Sequence, residues 1–121
     1  MLDKWQAIHA FWSSFGLPAY DENSVPDNAE LPYITYSASV GGFEQVLVLT
    51  GSIWYRSMSW AGISQMQTHI AEMISPYQVL PVEGGYLYVS KGTTFAQRMG
   101  DEDTSIKRIY LVLNAEFFTD Y

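Results

Sequence analysis

The chain has 121 residues, of which 48% are hydrophobic and none is cysteine. This length predicts one domain over residues 1–121, and the composition excludes disorder, disulfide scaffolds and thiol chemistry. Six Lys and Arg against thirteen Asp and Glu give a net charge of −7, which disfavours nucleic-acid readout because phosphates are repelled. Apolar runs such as residues 46–49 are too short to cross a bilayer, and we predict no signal peptide and no membrane partner.

The first predicted element is an amphipathic helix that ends at Gly16, with Pro18 just beyond it. Its apolar stripe comprises Leu2, Trp5, Ile8, Ala10, Phe11, Trp12 and Phe15. Residues 18–30 follow, and their prolines, acids and asparagines predict an exposed loop.

From Leu31 the hydrophobic period changes from 3.6 to 2, which predicts a strand over 31–39 and, after a hairpin at Gly41-Gly42, a second over 44–56. In the second strand we expect one face to meet the helices and the other to be wetter. The drier set is Leu47, Leu49, Ile53 and Tyr55. Gly51 in mid-strand indicates a bulge or a close backbone approach.

A second helix is predicted from an N-cap at Ser59 to a stop at Pro76. Its stripe comprises Trp60, Ile63, Met66, Ile70, Met73 and Ile74. Short strands over 77–82 and 85–90, a long loop over 91–105 and a last strand over 106–118 complete the order α-β-β-α-β-β-β. The predicted fold class is α+β, a mainly antiparallel twisted sheet with both helices packed on one face.

No catalytic, cofactor or metal constellation emerges from the sequence. His69 and Glu72 share a helix face, but two histidines without further ligands favour a solvated polar face over a metal site. His9 has no recognisable nucleophile nearby, and residues 101–103 lack the calcium-loop pattern. We therefore predict that the chain is not an enzyme and holds no cofactor or metal.

Tyrosines and tryptophans are frequent in the predicted strands, and six basic residues are too few for a base-stacking platform. The tyrosines and tryptophans favour a protein–protein interface instead. The set comprises Tyr33, Tyr36, Trp54, Tyr55, Tyr86, Tyr88 and Tyr110.

Residues 11–20, 31–36, 52–57 with Trp60, 92–99 and the closing run 108–117 together carry a resemblance. In their order and spacing the chain resembles the tail-terminator, or tail-completion, proteins of long non-contractile-tailed phages and prophages of Gram-positive bacteria. The resemblance covers nearly the whole chain, and its motifs are packing residues and turns.

The resemblance implies an α+β virion protein that caps the tail tube as a homo-oligomeric, hexameric ring. Such a ring ends tube polymerisation and joins the tail to the head–neck complex. The implied partners are other copies of the chain, the major tail tube protein and a head–neck completion protein, with DNA only in transit. The implied location is the head-proximal end of the virion tail, with assembly in the host cytoplasm.

Residue roles follow from the resemblance as expectations. The subunit or tube contacts are expected at Phe95, Gln97, Arg98, Met99, Trp54 and Arg56, with Arg98 pairing an acid of a neighbour. The acidic surfaces facing the lumen or the tube are expected at Asp21, Glu22, Asp27, Glu30, Asp101, Glu102 and Asp103. The alternatives are a head–tail connector or neck component, and a non-phage module that binds a small ligand or a peptide.

Overall fold

The computed structural model describes residues 2–40 and 46–119. The Gly41-Gly42 hairpin predicted from the sequence lies outside these residues. The elements in chain order are α1 Lys4–Ser13, β1 Ala19–Asp21, β2 Tyr33–Val40, β3 Val46–Arg56, α2 Ala61–Ile74, β4 Gln78–Val82, β5 Gly85–Met99 and β6 Ile106–Thr119.

The sheet has the strand order β1-β2-β3-β6-β5-β4. Four neighbouring pairs are antiparallel, and β1 runs parallel to β2. The α+β class is thus confirmed, but the sheet is mixed, because part of the loop predicted over 18–30 forms the edge strand β1. Backbone bonds such as Glu22 N–H to the Tyr36 carbonyl, 2.9 Å, continue that pairing.

Strict alternation along β3 and β6 places both helices on the same face of the sheet. Leu49 and Ile53 of β3 and Ile109 and Leu111 of β6 have no exposed surface, and they pack with the buried sides of α1 and α2. Helix α1 contacts both edge strands, β1 and β4, so the sheet curls around it. The opposite, helix-free face of the sheet is therefore convex.

Helix α1 begins at a capping box that the sequence analysis missed. The Asp3 carboxylate accepts from the Gln6 N–H at 2.8 Å, and the Gln6 side chain accepts from the Asp3 N–H at 3.0 Å. Gly16 ends the turn with φ 94°, as expected for a helix stop. Trp5 and Leu2 of the predicted stripe are 59% and 44% exposed. Ala10 is exposed as well, so only Ile8, Phe11, Trp12 and Phe15 of the stripe are buried in the core.

Gly51 makes the close approach expected of it, and the β3 register runs through it without a bulge. A Cβ atom at this position would lie 2.6 Å from Cη2 of Trp12. The Trp12 indole is fully buried and covers the β3 backbone at Gly51. The absence of a side chain here is what allows α1 to lie close to the sheet.

Helix α2 begins two residues after the predicted N-cap. Trp60 occupies the cap position, but the Ser59 hydroxyl still accepts from the Ala61 N–H at 3.0 Å. The stripe predicted on this helix is buried at Ile63, Ile70 and Ile74, whereas Met73 is 40% exposed.

Strand β5 corrects the largest error of the sequence analysis, the loop predicted over 91–105. Pairing with β6 continues to Met99, interrupted by a register shift between Lys91 and Ala96. Lys91 pairs with Leu113 and Ala96 with Leu111, so residues 92–95 bulge opposite Val112 alone. Only residues 100–105 connect β5 to β6.

Candidate assembly surface

The helix-free face carries two groups of side chains at opposite ends of β6. The first, which we call the aromatic patch, lies near the C-terminal end of β6. It comprises Tyr77, Val79, Tyr86, Tyr88 and Phe118. The second, the arginine cluster, lies near the N-terminal end of β6. It comprises Thr35, Ser52, Trp54, Arg108 and Tyr110.

The aromatic patch is contiguous and exposed. Tyr88 lies at its centre, stacked on Tyr77 with ring centroids 5.6 Å apart and edge-on to Phe118 at 4.9 Å. These three side chains are 38–54% exposed. Their mutual contacts hold the rings in place, so the patch offers pre-ordered apolar area of the kind found at interface cores.

The arginine cluster is held by hydrogen bonds across three strands. Arg108 Nε donates to the Ser52 hydroxyl at 2.9 Å, and its guanidinium lies 4.7 Å from the centroid of the Trp54 ring. The indole N–H of Trp54 donates to the Thr35 hydroxyl at 2.9 Å. The centroid of the Tyr110 ring lies 5.8 Å from the guanidinium. The predicted interface residue Trp54 is thus positioned by its neighbours and partly exposed.

Arg56 and Asp103, predicted separately as an interface residue and an acidic-surface residue, lie together at one end of the sheet. Arg56 Nη1 lies 3.8 Å from Asp103 Oδ2 and donates to the Ser105 hydroxyl at 3.1 Å. The loop is further closed by the Asp103 N–H, which donates to Asp101 Oδ1 at 2.9 Å. Both partners of the ion pair are more than half exposed, so it orients the loop and adds little stability.

Asp103 gives the loop a pH dependence. The Ser105 hydroxyl and backbone N–H both donate to Oδ1, and these bonds, aided by Arg56 and Lys107, lower the pKa of Asp103 below its ordinary value. A depressed carboxylate pKa stabilises the fold above the unfolded-state pKa, and this stability is lost as pH falls through the folded-state value. The stability contributed by Asp103 is therefore lost at pH values below about 4.

We expect Asp103→Asn to be less stable than the wild type at neutral pH and the difference to vanish under acid conditions. Denaturant unfolding at a series of pH values measures it. Glu102→Gln is the matched control, because Glu102 makes no hydrogen bond or ion pair among the described residues. A constant difference between Asp103→Asn and wild type down to about pH 2 would contradict the assignment.

The alternation of β5 divides its predicted contact residues between two faces. Gln97 and Met99 lie on the helix-free face, opposite Tyr110 and Arg108 of β6. Gln97 is exposed and Met99 is partly buried. Both therefore border the arginine cluster, and their role as contacts stays a prediction.

Phe95 and Arg98 make contacts within their own chain. Phe95 is partly buried against the core. Arg98 faces α2, with its guanidinium 4.7 Å from the centroid of the Trp60 ring and Nη2 donating to the Ser64 hydroxyl at 3.3 Å. The exposed Arg98 head group remains predicted to bind an acid of a neighbour.

The other predicted acidic residues are all exposed. They are Asp21, Glu22, Asp27, Glu30, Asp101 and Glu102. Asp21 accepts from the Asn23 N–H at 2.9 Å. No hydrogen bond or ion pair is formed by the side chains of Glu22, Asp27 and Glu30 within the described residues. The orientation of these loops toward a lumen or a tube stays a prediction.

The two histidines lie apart on different helices. His9 Nδ1 lies 2.8 Å from the Tyr36 hydroxyl, while burial, and secondarily Asp21, raises the pKa of Tyr36. His69 and Glu72 line an open surface depression along α2 with Ser64, Gln65 and Thr68. Over residues 2–40 and 46–119, no three His, Asp or Glu residues gather in a way that could hold a metal ion.

The sequence predicted an aromatic surface, but it did not correctly predict which residues form it. Tyr36 and Tyr55 of the predicted interface set lie on the helix side. Tyr36 stacks on Trp12 with ring centroids 6.3 Å apart, and Tyr55 packs against the core, as expected from its place in the drier set of β3. Tyr77 and Phe118 were missed. Alternation within the last strand places Phe118 on the same face as Glu116, whereas the position of Tyr77 beside Tyr88 depends on the pairing of β4 with β5. Arg108 was missed because Ser52 and Trp54, which hold it, come from another strand, β3.

A comparison with solved structures finds a chain from the virion of a native gene transfer agent particle. It is 17% identical, with a TM-score of 0.65, and the match covers 93% of this chain and 90% of that chain. No protein-family model matches the sequence, and none of the curated proteins does. At this identity the likeness shows a shared fold over nearly the whole length of both chains. Neither helix in the described part of the chain is long and apolar enough to cross a membrane.

Proposed function

We propose that this chain is a virion structural protein that caps the tail tube as a homo-oligomeric ring. In this role it ends polymerisation of the tube protein and forms the joint to the head–neck complex. Its location is then the head-proximal end of the tail, reached by assembly in the host cytoplasm, and its action is not enzymatic.

The observation that carries the proposal is the aromatic patch. Tyr77, Tyr88 and Phe118 expose rings that pack on one another, on a sheet face that neither of the two described helices covers. A soluble monomer rarely exposes a contiguous apolar patch without a partner for it. A virion protein that is permanently assembled supplies that partner.

The shared fold and the charge support the same proposal. The fold is also that of a chain in a gene transfer agent virion. A ring requires heterologous contacts, in which one patch meets a different patch on the next copy, and the two separate groups on the helix-free face supply different patches. A net charge of −7 keeps a channel wall from retaining DNA in transit, because carboxylates do not neutralise phosphates.

Deletion of the gene in a producing host tests the role. Loss of a tube cap is expected to give tails of uncontrolled, excessive length without attached heads, visible by negative-stain electron microscopy. Tails of normal length beside unattached heads would instead assign the chain to the connector or neck. Particles of normal form and yield would contradict a virion role altogether, and re-expression of the wild-type chain is the control.

A further inference from the structure

We propose that Arg108 binds carboxylates of the acidic loop 22–30 of a second copy of this chain, in a head-to-tail contact. The inference rests on the proposed ring and names one of its contacts. It starts from the donors that Arg108 leaves unused. Nε is bonded to Ser52, and neither Nη1 nor Nη2 has a hydrogen-bond partner among the described residues.

The surroundings of Arg108 fit a carboxylate. The Ser52 hydrogen bond and the nearby Trp54 and Tyr110 rings position the guanidinium, so a bidentate partner binds with little further ordering of the side chain. The one ion pair among the described residues is Arg56–Asp103, so Arg108 has no carboxylate partner there. Along its own strand the nearest acid on the same face, Glu116, is eight residues away, roughly 26 Å.

Charge complementarity identifies the occupant as the acidic loop. Glu22, Asp27 and Glu30 are exposed and make no hydrogen bond or ion pair in the described structure. In the other acidic loop, Asp101 and Asp103 are already used within their own turn, which leaves Glu102 as its single carboxylate without such a bond among the residues that the structure describes, against three in loop 22–30. Loop 22–30 leaves the edge strand β1, whereas Arg108 lies in a central strand, so the contact joins two different surfaces and repeats from copy to copy.

Cross-linking tests the contact, and the absence of natural cysteine makes single-cysteine variants unambiguous. Asn28→Cys marks the acidic loop. Gln97→Cys marks the Arg108 surface, because Gln97 is exposed and pairs with Tyr110 beside Arg108. Gln65→Cys, exposed on α2, is the matched control. The variants are mixed pairwise at high concentration with a short bismaleimide, and the cross-linked heterodimer is quantified by mass spectrometry.

The Asn28→Cys and Gln97→Cys pair is expected to give at least about tenfold more heterodimer than the pair with Gln65→Cys. Adding Arg108→Glu to the Gln97→Cys chain is expected to remove that excess, as loss of a charge-assisted contact predicts. Adding Asp27→Lys and Glu30→Lys to the other chain is expected to restore it. Lys4→Glu, which makes the same charge change on the helix side, is expected to leave it unchanged.

Equal yields from both pairs, an excess that survives Arg108→Glu, or no cross-link in any pair overturns the inference. Circular dichroism of each variant confirms that it is folded. These outcomes are separable from those of the gene deletion: overlong tails together with an excess insensitive to Arg108→Glu would remove this contact and leave the proposed function standing. Normal tails together with the expected cross-links would contradict the proposed function and support the contact between copies.

Discussion

Replacing Gly51 by alanine is expected to lower the free energy of unfolding by about 1–3 kcal/mol, the cost of overpacking a well-filled core. The added Cβ would lie 2.6 Å from Cη2 of Trp12, so the indole or the β3 backbone must shift. Trp12 has no exposed surface and packs edge-on against Phe11 and Phe15. The strain therefore spreads into α1. Urea unfolding followed by tryptophan fluorescence measures the change.

Two further variants isolate the cause. Gly100→Ala is the matched control, because a Cβ there has nothing within 4 Å, and we expect its stability to stay within about 0.5 kcal/mol of the wild type. Trp12→Leu makes room beside Gly51, so adding Gly51→Ala to it is expected to cost less than adding it to the wild type. Equal costs in both backgrounds would show that the contact with Trp12 is not the reason for the glycine.

The part of the fold that could be predicted depends on patterns within a single strand, such as the alternation of apolar and polar residues. In β6 the apolar set Ile109, Leu111 and Leu113 is fully buried, as expected from the period-2 pattern. Gly51 within β3 signalled a close approach, and only the structure shows that the approaching group is Trp12, 39 positions away. The sequence pattern thus identifies the face and the constraint but not the partner.

The part that could not be predicted depends on contacts between distant segments. Strand β1 is three residues long, and its pairing with Ile34–Tyr36 of β2 overrides a loop-like composition. The bulge of β5 at residues 92–95 breaks the alternation of that strand, so the sequence pattern predicts a loop where the structure has a paired strand. Such features are stabilised by the neighbouring strand, and the segment itself carries no periodic signal.

The candidate surface shows the same division. Residue type alone predicts that tyrosines in the strands serve as interface anchors. Tyr86 and Tyr88 lie on the exposed, helix-free face, where they are available for such contacts. The stacking of Tyr88 between Tyr77 and Phe118 joins residues up to 41 positions apart. Arg108 acquires its environment from Ser52 and Trp54, on a strand more than fifty positions earlier.

Replacing Tyr88 and Phe118 together by threonine is expected to abolish assembly while the monomer stays folded. Threonine is β-branched and, like Tyr and Phe, favours a strand. Tyr88 is 38% exposed and Phe118 47% exposed, and both lie on the face opposite the helices, so the substitutions leave the core unchanged. Aromatic anchors at the centre of an interface contribute about 2 kcal/mol each. Their joint loss then weakens each contact between copies or with the tube about a thousandfold.

Complementation of the gene deletion measures this effect as the yield of completed particles, with thermal unfolding of the purified variant as the folding readout. Trp5→Gln is the matched control: its ring is 59% exposed, more than either target, but it lies on α1, away from the helix-free face. We expect Trp5→Gln to complement fully. Normal particle yield from the double threonine variant would contradict an assembly role for the aromatic patch, because the two rings at its centre would then have no partner to lose.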